Sequence, residues 1–251
     1  MPPLLHTDAA KQLKTKSSRA RKSPLHAGKR SCFCPMDPLD LVRFIKHGCV
    51  CFEWEDTVVY VDPYHVPDAA HDADLVIITH SHHDHYSPED IRKVMKEDTV
   101  FASNAEVGDL LRRDFTLDPD YFTCLHTGGP TVIFECGAMV RPLPAVNKNH
   151  PEGFGMGILL TLGGFNWYLS GDTDVLEDSA VCDVLFVCCD GVWNMPDFAA
   201  RVPAEILRMD KMPGLVVPYH YNDTENPELN GNGAVLCRAL REQGIPCREW
   251  K

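Results

Sequence analysis

Three imidazoles and a carboxylate that share metal-ligand chemistry fall within one short stretch, His80-Ser81-His82-His83-Asp84-His85. Imidazole nitrogen and carboxylate oxygen are the usual ligands of catalytic zinc, and they also suit manganese or iron. A lone histidine is better read as surface decoration, but here that reading must hold for His80, His82, His85 and Asp84 together. Residues 75–79 form a continuous apolar run, as expected of a strand buried on both faces. Side chains at i and i+2 of a strand share a face, so His80 and His82 project together from its end. His83 alternates off that face and is not expected to ligate. Asp84 and His85 follow where Ser87-Pro88-Glu89-Asp90 supplies a helix N-cap, a proline at the first helical position and an acid at the third. A strand-to-helix junction of this kind can serve two metal ions from two sides.

The elements around this junction are legible as periodic patterns. Residues 41–45, 49–54 and 58–61 read as strands, with Glu55-Asp56-Thr57 as a hairpin turn. Ile91, Val94 and Met95 form the apolar stripe of the first helix. Ser103-Asn104-Ala105-Glu106 has capping-box form and opens a second, with Val107, Leu110 and Leu111 on one face. Residues 139–144, 157–162, 165–169, 184–187 and 215–217 read as further strands. Residues 197–209 read as helical with a kink at Pro203, and a last helix at 233–243 stops at Gly244. Strands first joined by hairpins and then separated by helices favour a layered α/β sandwich.

Charge divides the chain of 251 residues unevenly. Eight of its 24 basic residues and one of its 36 acids lie in 1–35, so the remainder carries 16 against 35, a net of −19. A body this acidic repels phosphate backbones, which argues against a nucleic-acid partner. Residues 1–35 read as a disordered basic leader, either a mitochondrial transit peptide or an extension upstream of a natural start at Met36; the second is preferred, with the folded domain at 36–251. No apolar run approaches a membrane span. The 11 cysteines, scattered and odd in number, read as reduced thiols of a cytoplasmic protein, or a mitochondrial one if the leader is a transit peptide. A four-thiolate zinc site from Cys32, Cys34, Cys49 and Cys51 is disfavoured, because C-x-C differs from the usual C-x-x-C spacing.

Thr79-His80-Ser81-His82-His83-Asp84-His85 resembles the T-H-x-H-x-D-H signature of the metallo-β-lactamase superfamily. Tyr168-Leu169-Ser170-Gly171-Asp172-Thr173-Asp174 resembles its G-D-T motif after a strand. Asn149-His150-Pro151-Glu152-Gly153-Phe154-Gly155 is similar to the segment that gives the third histidine of the first metal site. Val217-Pro218-Tyr219-His220-Tyr221 is similar to the strand end that gives the last histidine of the second. Phe44-Ile45-Lys46-His47-Gly48 and Val61-Asp62-Pro63 match the opening strands; Asp62 is expected to hydrogen-bond the backbone of the metal loop and His47 to line the pocket without binding metal.

The resemblance implies a four-layer αββα sandwich. It implies two divalent cations, zinc first and manganese or iron as alternatives: one held by His80, His82 and His150, the other by Asp84, His85 and His220, with Asp172 bridging. Two such cations about 3.5–4 Å apart bring the pKa of a bridging water toward neutrality. The resulting hydroxide would attack a carbonyl or phosphoryl centre, with Asp84 as the catalytic carboxylate that orients it. The stretch from Asn149 to G-D-T-D resembles the compact L-ascorbate-6-phosphate lactonase-like branch, many of whose members are called metal-dependent hydrolases. The chain departs from that branch at Cys188-Cys189-Asp190-Gly191-Val192-Trp193, where an apolar, glycine-rich turn is usual. The expected reaction is hydrolysis of an ester, lactone or phosphodiester of a small anionic substrate. Lys148 and Trp193 are the candidate substrate-binding residues, and one of Tyr219 and Tyr221 is a candidate to face the site. A metal-binding or regulatory module without turnover, and a di-iron redox centre, are the alternatives.

Overall fold

Alternation with period two decides which layer each strand residue joins. The computed structural model describes residues 36–222 and 225–250; the expected leader at 1–35, with Cys32 and Cys34, lies outside the described residues. The first half contains β1 (Val42–Lys46), β2 (Cys49–Trp54), β3 (Thr57–Val61), β4 (Ala73–Ile77), α1 (Pro88–Val94), β5 (Met95–Ser103), α2 (Ala105–Phe115) and β6 (Phe122–Cys124). Its strands form one sheet in chain order, antiparallel from β1 to β3 and parallel from β3 to β6. The second half contains β7 (Val132–Ile133), β8 (Met139–Ala145), β9 (Gly155–Leu162), β10 (Phe165–Leu169), β11 (Val184–Cys188), α3 (Phe198–Ile206), β12 (Leu215–Tyr219) and α4 (Asn232–Glu242). Its strands make the other sheet, antiparallel from β7 to β10 and parallel from β10 to β12.

Val50 and Phe52 of β2 join the core between the sheets, while Cys49 and Cys51 join the core beneath α1 and α2. Val59 and Val61 alternate with Tyr60 in the same way, as do Leu75 and Ile77 with Val76. The Phe52 ring lies 5.1 Å from Trp167 and 6.1 Å from Phe186, joining the two sheets. Ile91 and Val94 of α1 and Val107 and Leu111 of α2 cover the first sheet; Val202, Ile206, Leu236 and Leu240 of α3 and α4 pack on the second. The order is αββα, as the sequence leads one to expect. Among the described residues no helix is long and apolar enough to cross a membrane.

Several local readings are corrected. Met95, expected on the stripe of the first helix, is extended and begins β5, a strand whose polar start at Lys96-Glu97-Asp98 hides it from a periodicity reading. Asn104, not Ser103, caps α2, with its Oδ1 accepting from Val107 N at 2.9 Å. Ser103 ends β5, and its hydroxyl is committed to Ile78 O at 2.6 Å; Glu106 instead accepts from the Ser81 hydroxyl at 2.7 Å. The reading of every cysteine as a thiol fails for Cys237 and Cys247, which form a disulfide. Gly244, at φ 73°, turns the chain back under α4, so that Cys247 bridges to Val216 of β12 within reach of Cys237.

Candidate metal centre

Five parallel strands, β3 and β4 in one sheet and β10 to β12 in the other, end at the same edge of the sandwich. The loops leaving them carry the polar residues whose chemistry was singled out. Such carboxyl ends are where open α/β sheets bind ligands. His80, His82, Asp84 and His85 follow β4, Asp172 follows β10, and His220 follows β12. His150 comes from the connection into β9, whose start lies beside the end of β10. Gly171 is required before Asp172: its φ is 65°, and a Cβ there would come within 2.5 Å of Met156 O. His47, Asp62 and His220 also adopt left-handed backbone, with φ of 55°, 48° and 56°. Such conformations cost about 1–3 kcal/mol each in a non-glycine residue and persist where the surroundings over-determine them.

All seven expected ligands converge. His82 Nδ1 lies 3.1 Å from His150 Nε2, and the donor atoms of His80, His82 and His150 all fall within 4.8 Å of one another. His85 Nε2 and His220 Nε2 are 3.1 Å apart, each 3.5 Å from Asp84 Oδ2. Asp172 stands between the groups: Oδ1 is 3.3 Å from His85 Nε2 and 3.0 Å from His220 Nε2, and Oδ2 is 4.0 Å from His80 Nε2. Four ligands at about 2.0–2.2 Å around a tetrahedral cation stand about 3.4 Å apart, close to most of these separations. Two buried atoms at the centre, His80 Nε2 and Asp172 Oδ1, have no hydrogen-bond partner, which costs about 1–3 kcal/mol each if nothing else satisfies them. Asp172 Oδ1 meets only the two imidazole nitrogens of His85 and His220, without an aligned hydrogen bond, and His80 Nε2 meets none; a nitrogen and oxygen donor set so arranged fits a divalent cation.

The electrostatics favour positive charge at the same point. Burial opposes charge on His220, yet Asp172, Asp190 and Asp84 outweigh it and raise the ring to about 10. His85 is raised well above the usual range against the same burial by Asp172, Asp84 and Asp62. Burial also opposes ionisation of Asp84 and Asp172, but the facing histidines hold both carboxyls well below the usual range. Burial, then the neighbouring His85, keeps His80 well below the ordinary imidazole value.

Asp62 does what was expected and more. It accepts from Thr79 N and from the Thr79 hydroxyl, each at 2.7 Å, and also meets His85 Nδ1 at 2.7 Å. His47 sits deeper in the cluster than a pocket wall requires: its Nε2 is 3.3 Å from Asp84 Oδ2, and its ring centroid is 3.8 Å from that of His220. Burial, then His220, lowers its pKa to about 4. His83 lies at the cavity edge, its Nδ1 3.9 Å from Asp84 Oδ1, outside the donor groups.

A cavity of about 330 Å³ opens over these residues, and Trp193 lines it. Lys148 does not line it; its Nζ donates to Val192 O at 2.9 Å. Neither Tyr219 nor Tyr221 faces the cavity. The Tyr219 hydroxyl accepts from Gly171 N at 2.8 Å, and Tyr221 lies over Gly233, where a Cβ would collide with its ring. Tyr64 is the tyrosine that lines the cavity, and its place two residues after Asp62 is the one sequence signal for it. Asp190 was also missed, although it stands in the segment that departs from the lactonase-like branch; its Oδ2 is 3.2 Å from His220 Nδ1.

The αββα sandwich and a donor set suited to a divalent cation thus meet at one edge of the molecule. Residues 41–207 match the family described as the Beta-lactamase superfamily domain. A UPF0173 metal-dependent hydrolase of Thermus thermophilus is 28% identical over 221 residues, covering 81% of this chain and 92% of that protein. A crystal structure from Parabacteroides distasonis, assigned as a metal-dependent hydrolase, superposes with a TM-score of 0.65 at 27% identity, covering 83% of this chain and 91% of that one. A metallo hydrolase of Ignicoccus hospitalis shares the fold, with a TM-score of 0.66 at 20% identity over 84% of this chain and 94% of that one. The chain belongs to the metallo-β-lactamase superfamily and is a metal-dependent hydrolase of that family.

Proposed function

We propose that the protein holds two divalent cations, zinc first, and hydrolyses an ester, lactone or phosphodiester of a small substrate. The observation that carries this reading is the meeting of seven nitrogen and oxygen donors in one cluster, in which the Asp172 carboxylate faces His80, His85 and His220 and the buried His80 Nε2 has no hydrogen-bond partner among the described residues. His80, His82 and His150 would hold one cation, and Asp84, His85 and His220 the other, with Asp172 between them. When bound, the pair supplies Lewis acidity that brings water toward ionisation at neutral pH and stabilises charge on the attacked and leaving oxygens.

The chain's own residues set the rest of the chemistry. Asp62 holds His85 by Nδ1 and leaves Nε2 directed at the centre. Asp84 directs Oδ2 to the histidines, while Oδ1 is left to orient the nucleophile and accept its proton beside the exposed His83 ring. Trp193 covers the apolar part of a substrate at the cavity mouth, and the Asn149 amide offers hydrogen bonds along its wall. The acidic group of an anionic substrate would be met by the cations. Lys148 would contribute by tethering the turn that carries Trp193. A second reading of the other cation's ligands rests on His47, whose donor atom groups with those of Asp84 and His220; it would take the place of His85. We place the protein in the cytoplasm on the seven cysteines that stay free among the described residues, the Cys237–Cys247 bridge being the observation against it.

The test is elemental analysis after mild dialysis, followed by assays of the zinc-, manganese- and iron-loaded protein on phosphodiesters, lactones and esters. About two metals per chain and turnover that Asp84→Asn abolishes are expected. Metal content near zero that none of the three ions restores would refute the reading. Full metal content with no turnover on any substrate would favour the non-catalytic module.

A further inference from the structure

The segment leaving β11 is where the sequence departs from the lactonase-like pattern, and it is built around two buried polar side chains. Asp190 and Asn194 are 1% and 0% exposed. Asp190 Oδ1 accepts from the backbone N–H groups of Val192, Trp193 and Asn194 at 2.9, 2.7 and 3.0 Å, folding the turn onto the carboxylate. Its Oδ2 faces His220 Nδ1 at 3.2 Å and accepts from Asn194 Nδ2 at 2.9 Å. The oxygen of the Asn194 amide accepts from Asn147 Nδ2. Asn147 Oδ1 in turn accepts from the backbone N–H of His150 at 2.8 Å. Beneath the turn, Asn232 Nδ2 at the start of α4 donates to Cys189 O at 2.9 Å and to Asp190 O at 2.8 Å, fixing the backbone that carries the carboxylate. An unbroken path therefore runs from His220 through Asp190, Asn194 and Asn147 to His150. It joins one proposed ligand of each cation without using the Asp172 carboxylate, although Asn147 Nδ2 also donates to Asp172 O at 3.2 Å.

We propose that Asp190, Asn194 and Asn147 are positioning residues that couple the two metal positions, so that ordering His220 around one cation also orders His150 for the other. This rests on the ligand assignment proposed above. A histidine held at Nδ1 by a carboxylate is fixed in tautomer and ring rotation, with Nε2 presented to the cation. Asn194 uses both ends of its amide, the donor on Asp190 and the acceptor on Asn147, and being buried it finds no water to replace either. A shift of the His220 ring that moves Asp190 is therefore passed to the Asn147 turn that sets His150. The turn folded onto Asp190 also carries Trp193, so cation loading and the cavity mouth are set by one carboxylate. Coupling of this kind is reciprocal: whatever loading of one position does for the other, the other returns.

Zinc affinity at each position, measured by chelator competition on the full chain, tests the proposal. Asn194→Leu removes the link without touching a proposed ligand. It is expected to weaken zinc binding at both positions by about 10-fold or more, as loss of such outer partners does. His150→Ala, which disables one position, should lower affinity at the other. That penalty should shrink by about 5-fold or more in the Asn194→Leu background, the part carried by Asp172 remaining. Circular dichroism establishes that each variant is folded. If Asn194→Leu does not fold, Asn194→Ser, too short to reach both Asp190 and Asn147, breaks the same link at the same position and is held to the same expectations. Unchanged affinities, a change at one position alone, or an undiminished His150→Ala penalty would each overturn the coupling. Wild-type protein that binds no zinc would overturn the metal reading, and the coupling with it.

Discussion

Asp62→Asn isolates the support beneath the metal loop. Asparagine has nearly the same size and tolerates the left-handed backbone at this position, φ 48°, so the change is mainly one of charge and hydrogen bonding. Asp62 is 2% exposed and meets three donors at 2.7 Å: Thr79 N–H, the Thr79 hydroxyl and His85 Nδ1. The amide oxygen keeps the bond from Thr79 N–H. The new NH₂ group meets the other two; the hydroxyl can rotate and accept, but His85 can accept only by moving its proton to Nε2. That nitrogen is the one 3.3 Å from Asp172, so the imidazole would present a proton where a cation needs a lone pair. One charge-assisted hydrogen bond is lost, about 1.5–3 kcal/mol. For a domain of this size that lowers the melting temperature by about 3–12 °C, and zinc affinity should fall about 10- to 100-fold. Scanning calorimetry of chelator-treated and zinc-loaded protein reads the first effect, and chelator competition the second. A variant with wild-type melting temperature and wild-type zinc affinity would refute the role given to Asp62.

Three further predictions follow from other parts of the structure. Asp172→Ala should empty both metal positions and His220→Ala mainly one, read by elemental analysis; equal loss in the two variants contradicts the assignment of His220 to one cation. Phe52→Ala removes a fully buried ring that touches Trp167 and Phe186 across the sheets, at about 3–5 kcal/mol; a loss below about 1 kcal/mol in denaturant titration would show that the sheets are not packed as described. Asp90 accepts from His65 N–H, Val66 N–H, the Ser87 hydroxyl and Lys93; burial opposes its charge, but Lys93 and Ser87 prevail and hold its pKa below 3.8. A depressed folded pKa contributes stability that is present above 3.8 and lost as pH falls through the folded value, so Asp90→Asn should lose stability at neutral pH and show a shallower acid limb; parallel melting curves against pH would contradict this.

What could be read from the sequence was set by neighbours along the chain. His80, His82, Asp84 and His85 lie together because a strand presents alternate residues on one face and a capped helix begins at Ser87. The layer to which Val50 or Cys51 belongs follows from the same alternation, and the end of α4 from the freedom of Gly244 to take positive φ. Asp62 was legible only through a resemblance, as were His150, Asp172 and His220, because nothing local connects a β4 loop with the ends of β10 and β12. Those meetings depend on how β10, β11 and β12 pair and on how the two sheets face each other across Phe52 and Trp167. Tertiary structure likewise moved the cap of α2 from Ser103 to Asn104, since Ile78 O already holds the Ser103 hydroxyl. It turned Lys148 to Val192 O, took both candidate tyrosines out of the cavity in favour of Tyr64, and brought Cys247 back to Cys237. Backbone periodicity and capping act over a few residues and leave their mark in the order of side chains. Which distant carbonyl, carboxylate or thiol a side chain meets is decided only when the layers close, because that partner is chosen by distance in space and the need to satisfy buried polar atoms.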